Sequence, residues 1–149
     1  METAKPTCLT KDEVEISFSG AYMKDGWSNY YSVIDPDLKA GKGWNSGGHP
    51  IQWIQFNLKR HTTIESLELT VEILPACDVF VVIEGNVKDP DHEHFAISAI
   101  REFHKTGMKK EVPVNSTVKN IRITTIESKS WVAWKRVLLK RGMTDEDRQ

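Results

Sequence analysis

Apolar and polar residues alternate along most of this chain with a period of two, which is the spacing of a strand with one buried face. Val14, Ile16 and Phe18 alternate with acidic and serine positions, and Ile64–Glu72 repeats the pattern. Val79–Ile83 is instead a continuous β-branched and aromatic run, typical of a central strand covered on both faces. The pattern predicts a fold built from strands without a long helix.

Eight segments of the chain are predicted as strands. They are Val14–Phe18, Trp53–Leu58, Ile64–Glu72, Val79–Ile83, Phe95–Phe103, Val112–Val114, Val118–Ile126 and Trp131–Leu139. Turn-forming residues separate them, as at Gly47-Gly48-His49-Pro50 and Asp89-Pro90-Asp91. The apolar residues of Phe95–Phe103 would also suit a helical face, and we predict a strand there. Many short strands with turns between them favour an antiparallel β-sandwich or jelly roll.

The segment from Ser19 to Pro50 departs from this rhythm, because it has little regular pattern and many aromatic residues. These are Tyr22, Trp27, Tyr30, Tyr31 and Trp44. A loop of this length inside a compact domain is usually functional or disordered, and a high aromatic content argues against disorder. We therefore expect this segment to carry the ligand site.

The chain of 149 residues has 20 basic and 21 acidic residues and a formal net charge of −1. This balance gives no overall attraction to nucleic acid or to an anionic membrane, and no apolar run approaches the ~20 residues of a membrane span. We predict one domain over residues 1–149, with a core at about residues 12–141 and short polar tails. The polar start lacks a signal-peptide pattern, which predicts a cytoplasmic location as the chain stands, or an extracellular one if a signal or parent domain precedes it.

Five short motifs along the chain carry a family resemblance. They are Trp27-Ser28, the turn Ile34-Asp35-Pro36-Asp37 leading to Trp44-Asn45-Ser46, the strand Gln52–Leu58, the strand Val118–Ile123, and Ser130-Trp131-Val132. In these motifs and their order the chain resembles the discoidin family, the coagulation factor 5/8 C domains of galactose-binding-like type. The resemblance implies an all-β fold, an eight-stranded antiparallel jelly-roll β-sandwich whose loops at one end meet the ligand. Members bind sugars, phospholipid head groups or protein partners, so the fold does not decide the ligand.

Sugar recognition needs an aromatic face for the C–H side of the ring and a few planar polar groups for the hydroxyls. The loop Tyr22–Tyr31 and the glycine-rich turn Trp44–His49 offer both kinds of group. The predicted ligand-binding residues are Tyr22, Lys24, Trp27, Asn29, Tyr30, Asn45 and His49. Trp44 and Trp53 are expected to be core residues, and Trp131 is expected to anchor the final strand.

Two groups of residues are candidates for binding a metal. Asp35 and Asp37 stand where the resemblance implies a structural calcium site, and carboxylate oxygens suit that ion. Relatives add an acidic ligand from the last strand, but this chain has Trp134-Lys135-Arg136 there, and basic side chains would repel the ion. His92-Glu93-His94 has the alternation of a chelating pair, although its polar surroundings favour a solvated loop. Of these two candidates, only structural calcium is kept as a possible cofactor.

The chain has no Gly-x-Ser-x-Gly elbow, phosphate-binding glycine loop or Cys/His metal set of usual spacing, so we expect no enzyme. We predict a non-catalytic, lectin-like module that binds a glycan or glycoconjugate. The alternative is an intracellular subunit that holds a protein partner with the same fold. The lack of an arginine in the early strands and loops favours that alternative. Self-association stays open, as does the pairing of Cys8 with Cys77.

Overall fold

The computed structural model describes residues 8–22, 29–37, 39–72, 79–86, 95–103 and 107–141. Within these ranges the chain forms seven strands and one short 3-10 helix, Tyr30–Ile34. The strands are β1 Val14–Phe18, β2 Trp44–Asn45, β3 Gln52–Glu72, β4 Val79–Asn86, β5 Phe95–Phe103, β6 Lys109–Ser128 and β7 Ala133–Arg141. The described residues contain no helix that is long and apolar enough to cross a membrane.

The eight predicted segments correspond to these strands once two pairs of segments are merged. Trp53–Leu58 and Ile64–Glu72 are both parts of β3, while Val112–Val114 and Val118–Ile126 are both parts of β6. Residues Lys59–His61 are exposed, so they interrupt the alternation of buried and exposed positions without ending β3. The added strand is β2, which is too short to show a period.

The strands form an antiparallel arrangement in the order β2-β7-β3-β6-β4-β5, with β1 paired to β3. β3 and β6 change register together between Asn57 and Thr62. The first part of β3 pairs with β1 and with the end of β6, which also pairs with β4. The second part of β3 pairs with β7 and with the start of β6. The two long strands thus pass from one layer of a sandwich to the other, and the predicted all-β antiparallel fold is confirmed.

The core lies between the two layers and takes buried side chains from both of them. Ile54 and Phe56 enter it from the first part of β3, and Leu67 and Leu69 enter it from the second part. Leu9 also belongs to this core, at 2% exposure. Packing therefore begins ahead of β1, in a segment that the sequence pattern assigns to a polar tail.

Candidate functional site

Three segments of the chain meet at one end of the sandwich, and together we call them the loop end. They are residues 19–22, 44–52 and 129–132. The backbone N–H of Tyr22 donates to the carbonyl of Asn45 at 2.6 Å. The N–H of Ser46 donates to the carbonyl of Val132 at 2.9 Å, which continues the pairing of β2 with β7. The strands thus fix where the loops sit.

The glycine-rich turn after β2 is held by its own side chains. Asn45 Oδ1 accepts a hydrogen bond from the N–H of Gly47 at 2.8 Å, and Gly47 has a φ of +79°, a conformation that favours glycine. The Ser46 hydroxyl bonds both the N–H and the carbonyl of Gly48, at 3.2 and 3.0 Å. Asn45 and Ser46 are buried, so their side chains shape the turn from inside.

A chain of side-chain hydrogen bonds fixes the backbone of His49. The carbonyl of His49 accepts from Gln52 Nε2 at 3.0 Å, and Gln52 Oε1 accepts from the Ser19 hydroxyl at 2.6 Å. The same Ser19 oxygen accepts from the N–H of Trp53 at 2.9 Å. His49 itself is exposed, so its imidazole is presented to solvent from an anchored backbone.

Trp131 is exposed at the loop end, and the prediction that it anchors the final strand is wrong. Its exposed fraction is 54%, whereas Val132 and Trp134 are 3% and 1% exposed and fill the core instead. The rings of Trp131 and His49 meet edge to face, with centroids 6.4 Å apart. Ile51, at 64% exposure, is the other large exposed apolar residue of the described chain. Trp131, His49 and Ile51 therefore give the loop end an apolar and aromatic surface.

The other two tryptophans expected to be structural differ in their surroundings. Trp44 is fully buried, and its indole N–H donates to the carbonyl of Gly20 at 3.0 Å, as a core position requires. Trp53 is half-buried on the face of β3, where the guanidinium of Arg122 lies 4.0 Å from the ring centroid. Trp53 therefore packs under a cation on a sheet face, and the prediction that it is a core residue is wrong.

Three of the predicted ligand residues, Tyr22, Asn45 and His49, come together at the loop end. Asn45 acts by shaping the turn, because its side-chain oxygen accepts the hydrogen bond from the N–H of Gly47. Lys24 and Trp27 lie outside the described residues.

The remaining two predicted ligand residues make contacts away from the glycine-rich turn. Asn29 is exposed, and its amide nitrogen donates to the carbonyl of Ala40 at 3.1 Å. The ring of Tyr30 packs edge to face against Phe18, with centroids 4.9 Å apart. Both side chains therefore help to hold the segment that begins at Asn29.

Sequence reasoning missed Trp131, Ile51 and Gln52 as parts of the candidate site. A signal for Trp131 exists, since the polar run Ser128-Lys129-Ser130 precedes it and places it in a turn before β7 begins. Gln52 opens β3, and nothing in its sequence context marks its bond to the His49 carbonyl.

No protein-family model matches this sequence, and no curated protein matches it significantly. Solved structures do match. The family 32 carbohydrate-binding module of Clostridium perfringens NanJ, in complex with galactose, superposes with a TM-score of 0.70 at 14% identity, over 92% of this chain and 100% of that one. The chain has the fold of that module.

Two further structures share this family 32 module fold. The module of AlyQ, in complex with 4,5-unsaturated mannuronic acid, gives a TM-score of 0.63 at 20% identity, over 88% of this chain and 97% of that one. An F5/8 type C domain from Bacteroides fragilis gives 0.65 at 14% identity, over 93% and 98%. These matches confirm the fold that the discoidin resemblance implies.

The turn to which residues 35–37 and 39–43 belong precedes β2 and contains the predicted calcium ligands. Asp35 Oδ1 accepts from the N–H of Asp37 at 2.9 Å, and Asp37 Oδ1 accepts from the N–H of Lys39 at 2.9 Å. Each carboxylate thus has an oxygen bonded to the backbone of its own turn. Among the residues that the structure describes, no three His, Cys, Asp or Glu side chains are grouped to hold a metal ion. His92-Glu93-His94 lies outside those residues.

A guanidinium occupies the inner side of this turn. Arg136 is 1% exposed, and its Nη2 donates to the carbonyls of Asp37 and Gly41, each at 2.9 Å. Its Nη1 donates to the carbonyl of Lys135 at 2.6 Å. Burial lowers the pKa of Arg136, and the charges of Asp35 and Asp37 raise it. Because a permanent cation already takes the carbonyl oxygens here, the arrangement does not fit a calcium ion.

A cleft lies on the flank of the sandwich, between the start of the described chain and the 3-10 helix. Its volume is about 440 Å³, and Cys8, Tyr31 and Asp35 are among the residues that line it. Burial raises the pKa of the Cys8 thiol, while nearby Lys140 lowers it by a smaller amount. A protonated thiol is a poor nucleophile, so this cleft offers no activated cysteine.

Proposed function

We propose that this chain is a non-catalytic carbohydrate-binding module whose ligand contacts Trp131 and His49 at the loop end. The observation that carries the proposal is the exposed indole of Trp131 beside the His49 ring, on loops anchored by hydrogen bonds. Exposing a tryptophan side chain to water is unfavourable, and a side chain on a rigid loop loses little conformational entropy when a ligand binds. Exposed aromatic residues of this kind are typical of recognition sites.

The chemistry of this surface suits a sugar. The face of the Trp131 indole can cover the apolar C–H side of a pyranose ring, and the His49 imidazole can bond a hydroxyl at the edge of that ring. The solved modules with the same fold hold galactose or an unsaturated mannuronic acid. Those ligands define two classes to test first, a neutral hexose and a uronate.

The experiment is a glycan array probed with the purified chain, followed by affinity measurements on Trp131→Ala and His49→Ala with a glycan that binds. We expect Trp131→Ala to weaken binding by about 30-fold, because truncating a central aromatic contact costs about 2 kcal/mol. His61→Ala is the matched control, since His61 is an exposed histidine at the bend of β3. It should leave the affinity unchanged.

Equal affinity of Trp131→Ala and the unmodified chain for the same glycan would refute the assignment of the site. A blank array from a folded protein would refute glycan binding itself. In that case the exposed pair Trp131 and Ile51 would be tested as a contact for a protein partner.

A further inference from the structure

We propose that Arg136 takes the place of a bound cation in this chain. Its guanidinium organises the turn at residues 35–37 and 39–43, which therefore needs no calcium. This inference is independent of the proposed sugar site, because it concerns what holds the loop that leads into β2. It rests on the contacts of one buried side chain from β7.

The contacts of Arg136 are those of a cation held by oxygen ligands. Three main-chain carbonyls accept from its two terminal nitrogens, and two of them belong to the turn, at Asp37 and Gly41. Main-chain carbonyls and carboxylates are also the ligands that a hard metal ion takes. The Asp35 and Asp37 carboxylates lie near enough to interact with the guanidinium charge. A buried charge needs hydrogen bonds and opposite charges nearby. The turn supplies the two carbonyls that accept from Nη2 and the charges of Asp35 and Asp37, while Nε has no hydrogen-bond partner among the described residues.

The turn is also packed too closely against β7 to be a loose loop. Gly43 has a φ of +91°, and a Cβ built on it would lie 2.3 Å from the carbonyl oxygen of Trp134. The N–H of Gly43 donates to the Ser32 hydroxyl at 2.9 Å, which ties the turn to the 3-10 helix. The backbone at Gly43 is thus held between β7 and the 3-10 helix.

The decisive experiment needs no variant. The melting temperature of the full chain is measured by differential scanning calorimetry in millimolar calcium and again in excess chelator. We expect the two values to agree within about 1 °C, because a ligand that does not bind the native state adds no stability. A higher melting temperature in calcium, lost on chelation, would overturn the proposal.

The second arm converts the arginine into a carboxylate. Arg136→Glu should lower the melting temperature by about 10 °C in chelator, since a buried charge then faces carbonyl oxygens and two aspartates. Calcium should restore a large part of this loss, because the ion then has the carboxylate that the guanidinium replaces. Lys135→Glu is the matched control, with the same change of charge on the adjacent, half-exposed residue, and it should show no calcium response.

Recovery by calcium in Arg136→Glu alone supports a cation position that arginine fills. A folded Arg136→Glu that ignores calcium, or that melts at the temperature of the unmodified chain, contradicts it. If Arg136→Glu does not fold in chelator, it is refolded in calcium: recovery of the fold supports the proposal, and failure to fold contradicts it. The measurement on the unmodified chain does not depend on this variant.

Discussion

Two loops flank the two-residue strand β2 and face opposite surroundings. The first contains residues 35–37 and 39–43, and the second contains residues 46–51. The first loop closes over a guanidinium that is 1% exposed, and its carbonyls point inward to that charge. The second loop uses buried Asn45 and Ser46 to shape its turn and leaves His49 and Ile51 exposed.

The difference shows how one short strand supports two kinds of loop. β2 pairs with the start of β7, so Arg136 on β7 can reach the first loop while the residues just before β7 pair with the second. The first loop, which we call the inward loop, contributes stability, and the second, which we call the outward loop, contributes an exposed surface. Substitutions that act on only one of the loops separate these contributions.

The largest effect is expected at β2 itself, where the two loops meet. Trp44→Ala should lower the free energy of unfolding by about 4 kcal/mol, because it removes a fully buried indole and leaves a cavity. Trp131→Ala, the same change on an exposed residue, should cost at most about 0.5 kcal/mol. Urea titration of both variants measures this, and equal losses would mean that Trp131 is a packing residue after all.

A smaller loss of unfolding free energy is expected for a substitution that strains only the inward loop. Gly43→Ala should cost about 3 kcal/mol, because alanine disfavours the positive φ and its Cβ would overlap the carbonyls of Trp134 and Lys135. Gly107→Ala is the control: Gly107 has a φ of +84° with open space around its Cβ position, and its substitution should cost about 1 kcal/mol. Similar losses in thermal unfolding would show that the close contact with β7 is not tight.

The smallest effect on stability is expected for the outward loop. Asn45→Ala removes the acceptor for the Gly47 N–H and should lower the free energy of unfolding by about 1 kcal/mol. Asn45→Ser keeps an uncharged acceptor oxygen at that position and should retain more of the stability than Asn45→Ala. Comparable losses in the two variants would argue that the side-chain bond does not hold the turn.

The strands could be predicted well from sequence because burial in a sandwich imposes a period of two. The exceptions were β3 and β6, each predicted as two strands. In β3 the exposed residues Lys59–His61 break the period although the strand continues from one layer to the other. β2 escaped prediction because two residues show no period. Local pattern therefore located buried strands but not their continuity.

The candidate site could be predicted only in part. The glycine turn ending at His49 was identified from its residue types. Trp131 was assigned to the final strand, although the polar run Ser128-Lys129-Ser130 before it indicates a turn, and it is exposed. Arg136 was recognised as unfavourable for calcium, but its bonds to Asp37 and Gly41 join parts of the chain that are far apart in sequence. Such pairings depend on topology and leave no local signal.

The passage of β3 and β6 through both layers has a consequence for how this molecule comes apart and how it can change. Neither layer can separate without breaking strands on which the other depends, so the sandwich is one cooperative unit. Apart from Gln52, the residues of the loop end lie outside the ladder between β3 and β6. New residues can accordingly be tried at positions such as His49 and Trp131 without loss of the scaffold, which gives this architecture room to acquire new ligands.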